Sequence, residues 1–276
     1  MKGLKKIALA SAITAVATSA QAEYKAMNDA MMSQVTGQSG ISIDLTAEVS
    51  MGEIAYKDGG FIAARDIYLG GASGGALDNL TITVDVAGDA TDIAALETTN
   101  GITGIGDGDL VIHIGATDGD VQNVDFGLGI AEVSLETSNY APSQKYAGDA
   151  STNTVLLSNL ALSGRLGPID IVISEDTSNL WANAFFAVDS GSMDIPFMNV
   201  SIGNFTMDNS RPSGTPNGNF AQATVAMGAS NKGLMVDVID FSADMDVEDI
   251  KIGANSIGSL YITDLKFTAT MDVYGH

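Results

Sequence analysis

The chain has 276 residues, with 12 basic and 34 acidic side chains, a net charge of −22 and no cysteine. A charge this negative repels phosphate backbones and so excludes nucleic acid as a partner. The lack of cysteine excludes disulfide bonds and the usual zinc sites. Since 45% of the residues are hydrophobic and the mean hydropathy is +0.19, the chain has enough apolar material for a folded core.

Residues 1–22 have the three parts of a secretory signal peptide. Three lysines lie among the first six residues, the apolar stretch 7–17 is too short to span a bilayer, and Ala20-Gln21-Ala22 has the A-x-A cleavage pattern. Cleavage removes three lysines and no acidic residue, which makes the mature charge −25. We therefore expect an exported protein in the periplasm, on the outer cell surface or outside the cell. No later stretch is apolar enough to predict a transmembrane helix.

One helix is predicted, at residues 23–34. Its Met27, Met31 and Met32 are spaced so that they lie on one side of a helix.

Almost everything after Gly40 has the pattern of β-strands. Between residues 41 and 51 apolar and polar side chains alternate, which puts one apolar face inward. The same alternation returns in five later segments, which are residues 80–86, 110–114, 169–173, 223–227 and 265–273. Turn signals such as Asp58-Gly59-Gly60 separate them, with no helical insert between. The expected fold is all-β: an elongated curved sheet, an irregular β-solenoid or a sandwich, in one domain over 23–276.

An apolar-Gly-x-apolar pattern occurs four times, at Gly52, Gly167, Gly203 and Gly258. The spacing is irregular, so chance in a glycine-rich chain is one explanation and a degenerate repeat is another. Glycine within a strand usually marks a bulge or a bend. We interpret these positions as corners where the sheet changes direction.

The segment 27–43, MNDAMMSQVTGQSGISI, resembles the opening of secreted proteobacterial pilus-system proteins of the FilA type. In that group a short acidic helix ends in S-x-V-T-G-Q and passes into an alternating strand. The resemblance implies association with a surface appendage or its assembly, partners among other surface or pilus-system proteins, and no catalytic residues. Alternatively, Val35-Thr36-Gly37-Gln38 is a helix stop with Gly37 at the position after the last turn.

Catalytic signals are weak. Gly71-Ala72-Ser73-Gly74-Gly75 matches G-x-S-x-G, but the residues after it predict a strand and not the required helix. His113 lies within a predicted strand and His276 ends the sequence, so neither is placed to act as the base of a triad. The acidic runs at 175–176 and 244–249 are better explained as a solvated sheet face than as a glycosidase pair, because Trp181 is the only tryptophan. We predict no catalytic residue.

Calcium is the one metal hypothesis. Asp107, Asp109, Asp118 and Asp120 are oxygen ligands of the type that Ca²⁺ prefers, and they flank one short predicted strand. The pattern does not follow the EF-hand loop, and acidic hairpin turns are the alternative. No other cofactor is predicted.

Three functions are compatible with the sequence. The first is an exported, non-enzymatic structural or assembly component of the cell surface, which is expected to self-associate. The second is a protein whose curved sheet binds an apolar ligand such as a lipid, since methionine side chains suit an adaptable apolar groove. The third and weakest is a secreted hydrolase.

Overall fold

The computed structural model describes residues 40–100, 103–120, 124–137, 154–211 and 219–275. The chain divides into two units, Met1–Ser39 and Gly40–His276, and all the described residues belong to the second. The signal peptide and the helix predicted at 23–34 lie outside them, so both stay predictions.

The described chain contains twelve strands, one α-helix and one short 3-10 helix. In chain order they are β1 (Ile41–Ala47), β2 (Val49–Lys57), β3 (Phe61–Gly70), β4 (Leu77–Val86), α1 (Ala90–Asn100), β5 (Leu110–Ala116), β6 (Asp125–Glu136), β7 (Thr154–Ile173), β8 (Leu180–Ile195), the 3-10 helix (Pro196–Met198), β9 (Val200–Asp208), β10 (Ala221–Ala229), β11 (Leu234–Ile252) and β12 (Asn255–Val273). This confirms the all-β class.

All twelve strands form one antiparallel sheet. Four pairs of strands lie end to end and act as single long strands: β1 with β2, β3 with β4, β5 with β6, and β9 with β10. For example, β4 lies beside β1 while β3 lies beside β2. The sheet is thus a meander of eight long strands, each antiparallel to the one before it in the chain.

Helix α1 corrects the expectation that no helix interrupts the strands. Asp89 precedes it and accepts hydrogen bonds from the backbone N–H groups of Thr91 (2.9 Å) and Asp92 (3.2 Å), which is an N-cap. Ile93 and Leu96 pack from the helix onto a cluster of buried sheet residues. The alternation pattern missed α1 because so few apolar residues mark its buried side.

Two of the four glycines interpreted as corners lie at irregularities of the strands. Gly167 lies where the pairing of β7 with β8 shifts register, between Leu166 and Ile169. Gly258 has a φ of 110°, which side-chain-bearing residues rarely adopt. Near Gly167 the successive apolar residues Leu166 and Ile169 are three positions apart, instead of the two positions usual in a strand. Leu166 and Ile169 pair with Phe186 and Ala184, which share one side of β8, so the shift keeps both on that side.

Candidate functional site

The main feature of the sheet is an apolar face that crosses every long strand. Side chains of directly paired residues point to the same side of a sheet, so the pairings define rows. One row consists of Ile41, Val84, Ile112, Ile171, Ala182, Val225, Val238 and Ala269. The rows on either side of it are also apolar. They are Val86, Leu110, Ile173, Leu180, Met227, Val236 and Met271, and Ile43, Ile82, Ile114, Ile169, Ala184, Ala223, Phe241 and Phe267.

The apolar face continues into the half of the sheet that contains β2, β3, β6 and β9. A further apolar row there consists of Val49, Leu69, Leu128, Leu162, Gly191, Phe205, Val247 and Leu260. Strands β7, β8, β11 and β12 run through both halves and connect the rows. We define the apolar face as these four rows together.

The apolar face is partly open to solvent in the described part of the chain. Ile41 is 63% exposed and Ile43 is 45% exposed. Most of the remaining side chains in the first three rows are only half-buried. From strand and residue spacings, those three rows alone have a footprint of about 700 Å², and its exposed part forms one contiguous apolar patch. The alternation was therefore predicted correctly, but the expectation that its apolar side points inward is wrong for these residues.

The opposite side of the sheet is polar and better covered. One row on it consists of Ser42, Thr83, His113, Asp170, Asn183, Thr224 and Asp240. His113 Nδ1 lies 2.6 Å from Asp170 Oδ1, and the Thr224 hydroxyl donates to Asn183 Oδ1 at 2.9 Å. Asp170 is only 2% exposed. The polar side therefore contains buried, hydrogen-bonded groups.

Two covering elements lie on this polar side. Helix α1 packs through Ile93 and Leu96 onto a cluster that includes Val111 and Val172. Phe220, which precedes β10, packs with Phe185 and Ala187. The Arg165 guanidinium lies 5.6 Å from the centre of the Phe220 ring, which is a cation–π distance.

Arg65 joins three carboxylates at the end of the sheet formed by β2, β3 and β6, on the same side as the row of Val49, Leu69 and Leu128. Its guanidinium donates to Glu53 Oε2 and Glu132 Oε1, each at 2.9 Å, and to the Ser134 hydroxyl at 2.9 Å. It also pairs with Glu136, whose side chain is buried. Burial lowers the pKa of Arg65, but the hydrogen bonds and charges of Glu136 and Glu53 outweigh burial and raise it. The guanidinium thus stays charged and compensates carboxylates that would otherwise repel one another.

The four aspartates predicted to bind calcium are not brought together. Asp107 and Asp109 precede β5, whereas Asp118 and Asp120 follow it, so the two pairs lie about 20 Å apart along an extended strand. Asp109 is buried and accepts hydrogen bonds from the N–H groups of Gly106 (2.8 Å) and Glu175 (2.9 Å). Among the described residues no group of three acidic or histidine side chains is arranged to hold a metal. Calcium binding stays a prediction of the sequence alone.

The other chemically interesting residues make structural contacts. Ser73 lies in the exposed turn between β3 and β4, and a strand follows it, as the sequence predicts. Glu175 and Asp176 are exposed in the turn after β7. Asp244 is buried, and its carboxylate accepts hydrogen bonds from the N–H groups of Arg211 (2.7 Å) and Asp264 (2.8 Å). The acidic run at 244–249 is therefore not simply a solvated face, because its first member holds the backbone after β9 and the backbone of β12 at Asp264.

Sequence reasoning did not identify the apolar face as a site. The alternation within each strand was visible, but the pairing that aligns eight apolar segments is a property of the whole sheet. Nor does a strand pattern show which side is covered. Arg65 was also missed, because its three carboxylate partners come from two other strands.

Comparison with known proteins gives one match. The model of a family of unknown function (DUF6160) matches residues 1–88, which extend from the start of the chain to just beyond β4. No curated protein and no solved structure matches the chain. In the described part of the chain, no helix has the length and apolar character needed to cross a membrane.

Proposed function

We propose that this protein is an exported, non-enzymatic structural or assembly component of the bacterial cell surface, and that it works by association through its apolar face. One observation carries the proposal: α1 and the segment around Phe220 cover the polar side, whereas the buried cluster of Leu77, Leu80 and Val124 covers only one part of the apolar face. The apolar face is left half-exposed. Apolar surface of this extent is strongly stabilised by removal from water, so it favours a partner.

The distribution of charge supports the same function. The apolar rows contain no charged residue, whereas Asp170 and Asp240 lie on the other side. A high net negative charge keeps such a protein soluble before it meets its partner. The signal-peptide pattern and the resemblance at 27–43 add the location, and they point to other surface or pilus-system proteins as partners.

The side chains that would be needed for hydrolysis are engaged elsewhere. His113 is paired with Asp170 within a strand row of the sheet, and Asp244 is occupied by two backbone N–H groups. These contacts favour a non-enzymatic role over the secreted hydrolase.

A second candidate is binding of an apolar ligand such as a lipid. It is favoured by Met227 and Met271, which lie in the outermost row of the apolar face. Methionine is flexible and polarisable, so it adapts to ligands of varied shape. A protein of this kind would be a monomer with a bound lipid, whereas a structural component would form oligomers.

Native mass spectrometry of the mature chain, purified without detergent, tests the proposal. The informative pair is Val84→Lys on the apolar face and Thr83→Lys, its neighbour on the polar side of β4, because both residues are half-buried. We expect oligomers from the wild type and from Thr83→Lys, and a monomer from Val84→Lys. The free energy of unfolding of each variant, measured at a concentration where it is monomeric, is the control for folding.

Two results would change the conclusion. Oligomers that persist in Val84→Lys would show that the apolar face is not the surface of association. A wild-type monomer with adducts of lipid mass, which Val84→Lys removes, would replace the structural role with lipid binding.

A further inference from the structure

The two outermost long strands of the described sheet each have one neighbour. The first, β1 with β2, pairs only with β4 and β3, and the last, β12, pairs only with β11. The outer edge of each strand therefore presents backbone N–H and C=O groups that no other described strand pairs. The two edges also have similar lengths, covering residues 41–57 and 255–273.

The direction of the outer strands is complementary. The meander has eight long strands, so its last strand runs opposite to its first. When β12 of one molecule lies beside β1–β2 of another in the same orientation, the new pair is antiparallel, like every other pair in the sheet. The apolar faces of both molecules then lie on the same side.

The rows also match across such a junction. Ala269 stands in the same row as Ile41, and Phe267 stands in the same row as Ile43. If the rows continue into the next molecule, these apolar pairs become direct neighbours. The residues between and beyond them then align as well, so that Lys266 faces Asp44. Opposite charges directly across an antiparallel pair are stabilising.

Both edges contain strand irregularities, at Leu45–Ala47 and near Gly258 and Asp264, but neither has the other features that prevent such pairing. Natural edge strands are commonly protected by proline and by several lysines. Residues 41–57 and 255–273 contain no proline, and each segment has one lysine, Lys57 and Lys266. Lys266 also lies at the position where its charge is complementary to Asp44.

We propose that copies of this chain join edge to edge, with β12 of one molecule paired antiparallel to β1–β2 of the next. The two surfaces are different, so the contact is heterologous, and it builds an open-ended continuous sheet when successive molecules do not rotate back into a ring. This inference rests on the proposed structural role, and it names a second copy of the chain as the partner and the backbone edges as the contact. The apolar faces of successive molecules then form one uninterrupted apolar surface.

Disulfide trapping tests the contact, because the native chain has no cysteine. Ser42 and Thr268 lie one position from the aligned pairs and become direct neighbours at the junction. Their Cα atoms would then be about 5 Å apart, within disulfide range. We expect Ser42→Cys/Thr268→Cys to give a ladder of covalent oligomers that collapses with reductant. Each single variant is expected to give none.

A charge exchange provides the matched control for register. Asp44→Lys alone and Lys266→Asp alone should each lower the yield of the ladder about twofold to fivefold. The variant that carries both changes should restore it, since the opposite charges face one another again. Equal yields from all three would contradict the predicted register.

Three other results would overturn the proposal. Dimers formed by Ser42→Cys alone would mean that like edges pair with each other. A disulfide confined to single molecules would mean that the edges meet within one chain. Absence of any ladder, while the wild type still forms oligomers that Val84→Lys abolishes, would reject edge pairing and leave the role of the apolar face intact.

Discussion

The two sides of the sheet are covered in the opposite way to those of most soluble β-proteins. The polar side contains buried groups, among them Asp170 and Val111, and it carries α1. The apolar face, by contrast, has rows of aliphatic side chains that are mostly half-exposed. In an ordinary antiparallel sheet the apolar side packs on the core and the polar side is solvated.

The core of the described chain and its largest apolar surface overlap only in part, at Ile114, which packs against the buried cluster of Leu77, Leu80 and Val124, and at the buried Val247. The core is assembled from small clusters, one of which lies beneath α1 and another beside Phe220. Stability and association should therefore respond to different substitutions. Variants on each side of the sheet test that separation, beginning with the largest expected loss of stability.

Replacement of Arg65 by methionine should have the largest effect. It would leave the buried Glu136 beside Glu53 and Glu132 without a positive partner, which costs about 3 kcal/mol of unfolding free energy. Denaturant unfolding measures the loss. The control is Lys251→Met, because the pair of Lys251 with Asp249 is more exposed and should be worth about 1 kcal/mol or less. Equal losses would show that the Arg65 cluster is not buried as described.

Truncation of two adjacent residues on β5 compares the two sides directly. Val111 is 0% exposed beneath α1, whereas Ile112 is half-buried on the apolar face. We expect Val111→Ala to cost about 2 kcal/mol and Ile112→Ala about 1 kcal/mol, although isoleucine loses more atoms. Both values come from denaturant unfolding at concentrations where the chain is monomeric. A larger loss for Ile112→Ala would mean that the apolar face is the better buried side.

Loss of the helix cap should have a smaller effect. Asp89→Ala removes the acceptor of two N–H groups at the start of α1, which should lower the unfolding free energy by about 1 kcal/mol. Asp89→Asn keeps an acceptor and is the control. Hydrogen exchange in α1 should accelerate in the alanine variant and not in the asparagine variant. If both behave alike, the carboxylate is not acting as a cap.

Removal of the Lys266 charge should have the smallest effect on the isolated chain. Lys266 pairs with Asp264 at 3.2 Å, but both side chains are well exposed, so Lys266→Ala should change stability by less than about 0.5 kcal/mol. Thermal unfolding of dilute protein checks this value. A clear loss of stability would assign Lys266 a role within the monomer. The effect of Lys266 substitutions on edge pairing would then have to be corrected for that loss.

The sequence predicts the strands better than it predicts the sheet. Alternation at residues 41–51 identified β1 and the first three residues of β2, because the pattern is a local property of a pleated strand. It could not show that the apolar side of that pattern stays half-exposed, since burial depends on which segments pack above the sheet. Helix α1 was missed for a related reason: Ile93 and Leu96 are too few to produce a periodic signal.

The candidate metal residues show the same limit. Asp107-Gly108-Asp109 and Asp118-Gly119-Asp120 were grouped because they are close in sequence, but β5 separates them in space. The glycine pattern was more informative. It marked strand irregularities at Gly167 and Gly258, because a local backbone requirement leaves a local trace in the sequence.

The interruptions of the long strands have a mechanical consequence. The breaks at Glu48, at 71–76, at 117–124 and at 209–220 all fall at one level across the sheet. Only β7, β8, β11 and β12 cross that level without a break, and β7 shifts register there against β8. The two halves of the sheet are therefore joined by four continuous strands. The buried clusters around Val124 and Phe220 pack at this level, so side-chain packing holds the halves together where the backbone ladders are interrupted.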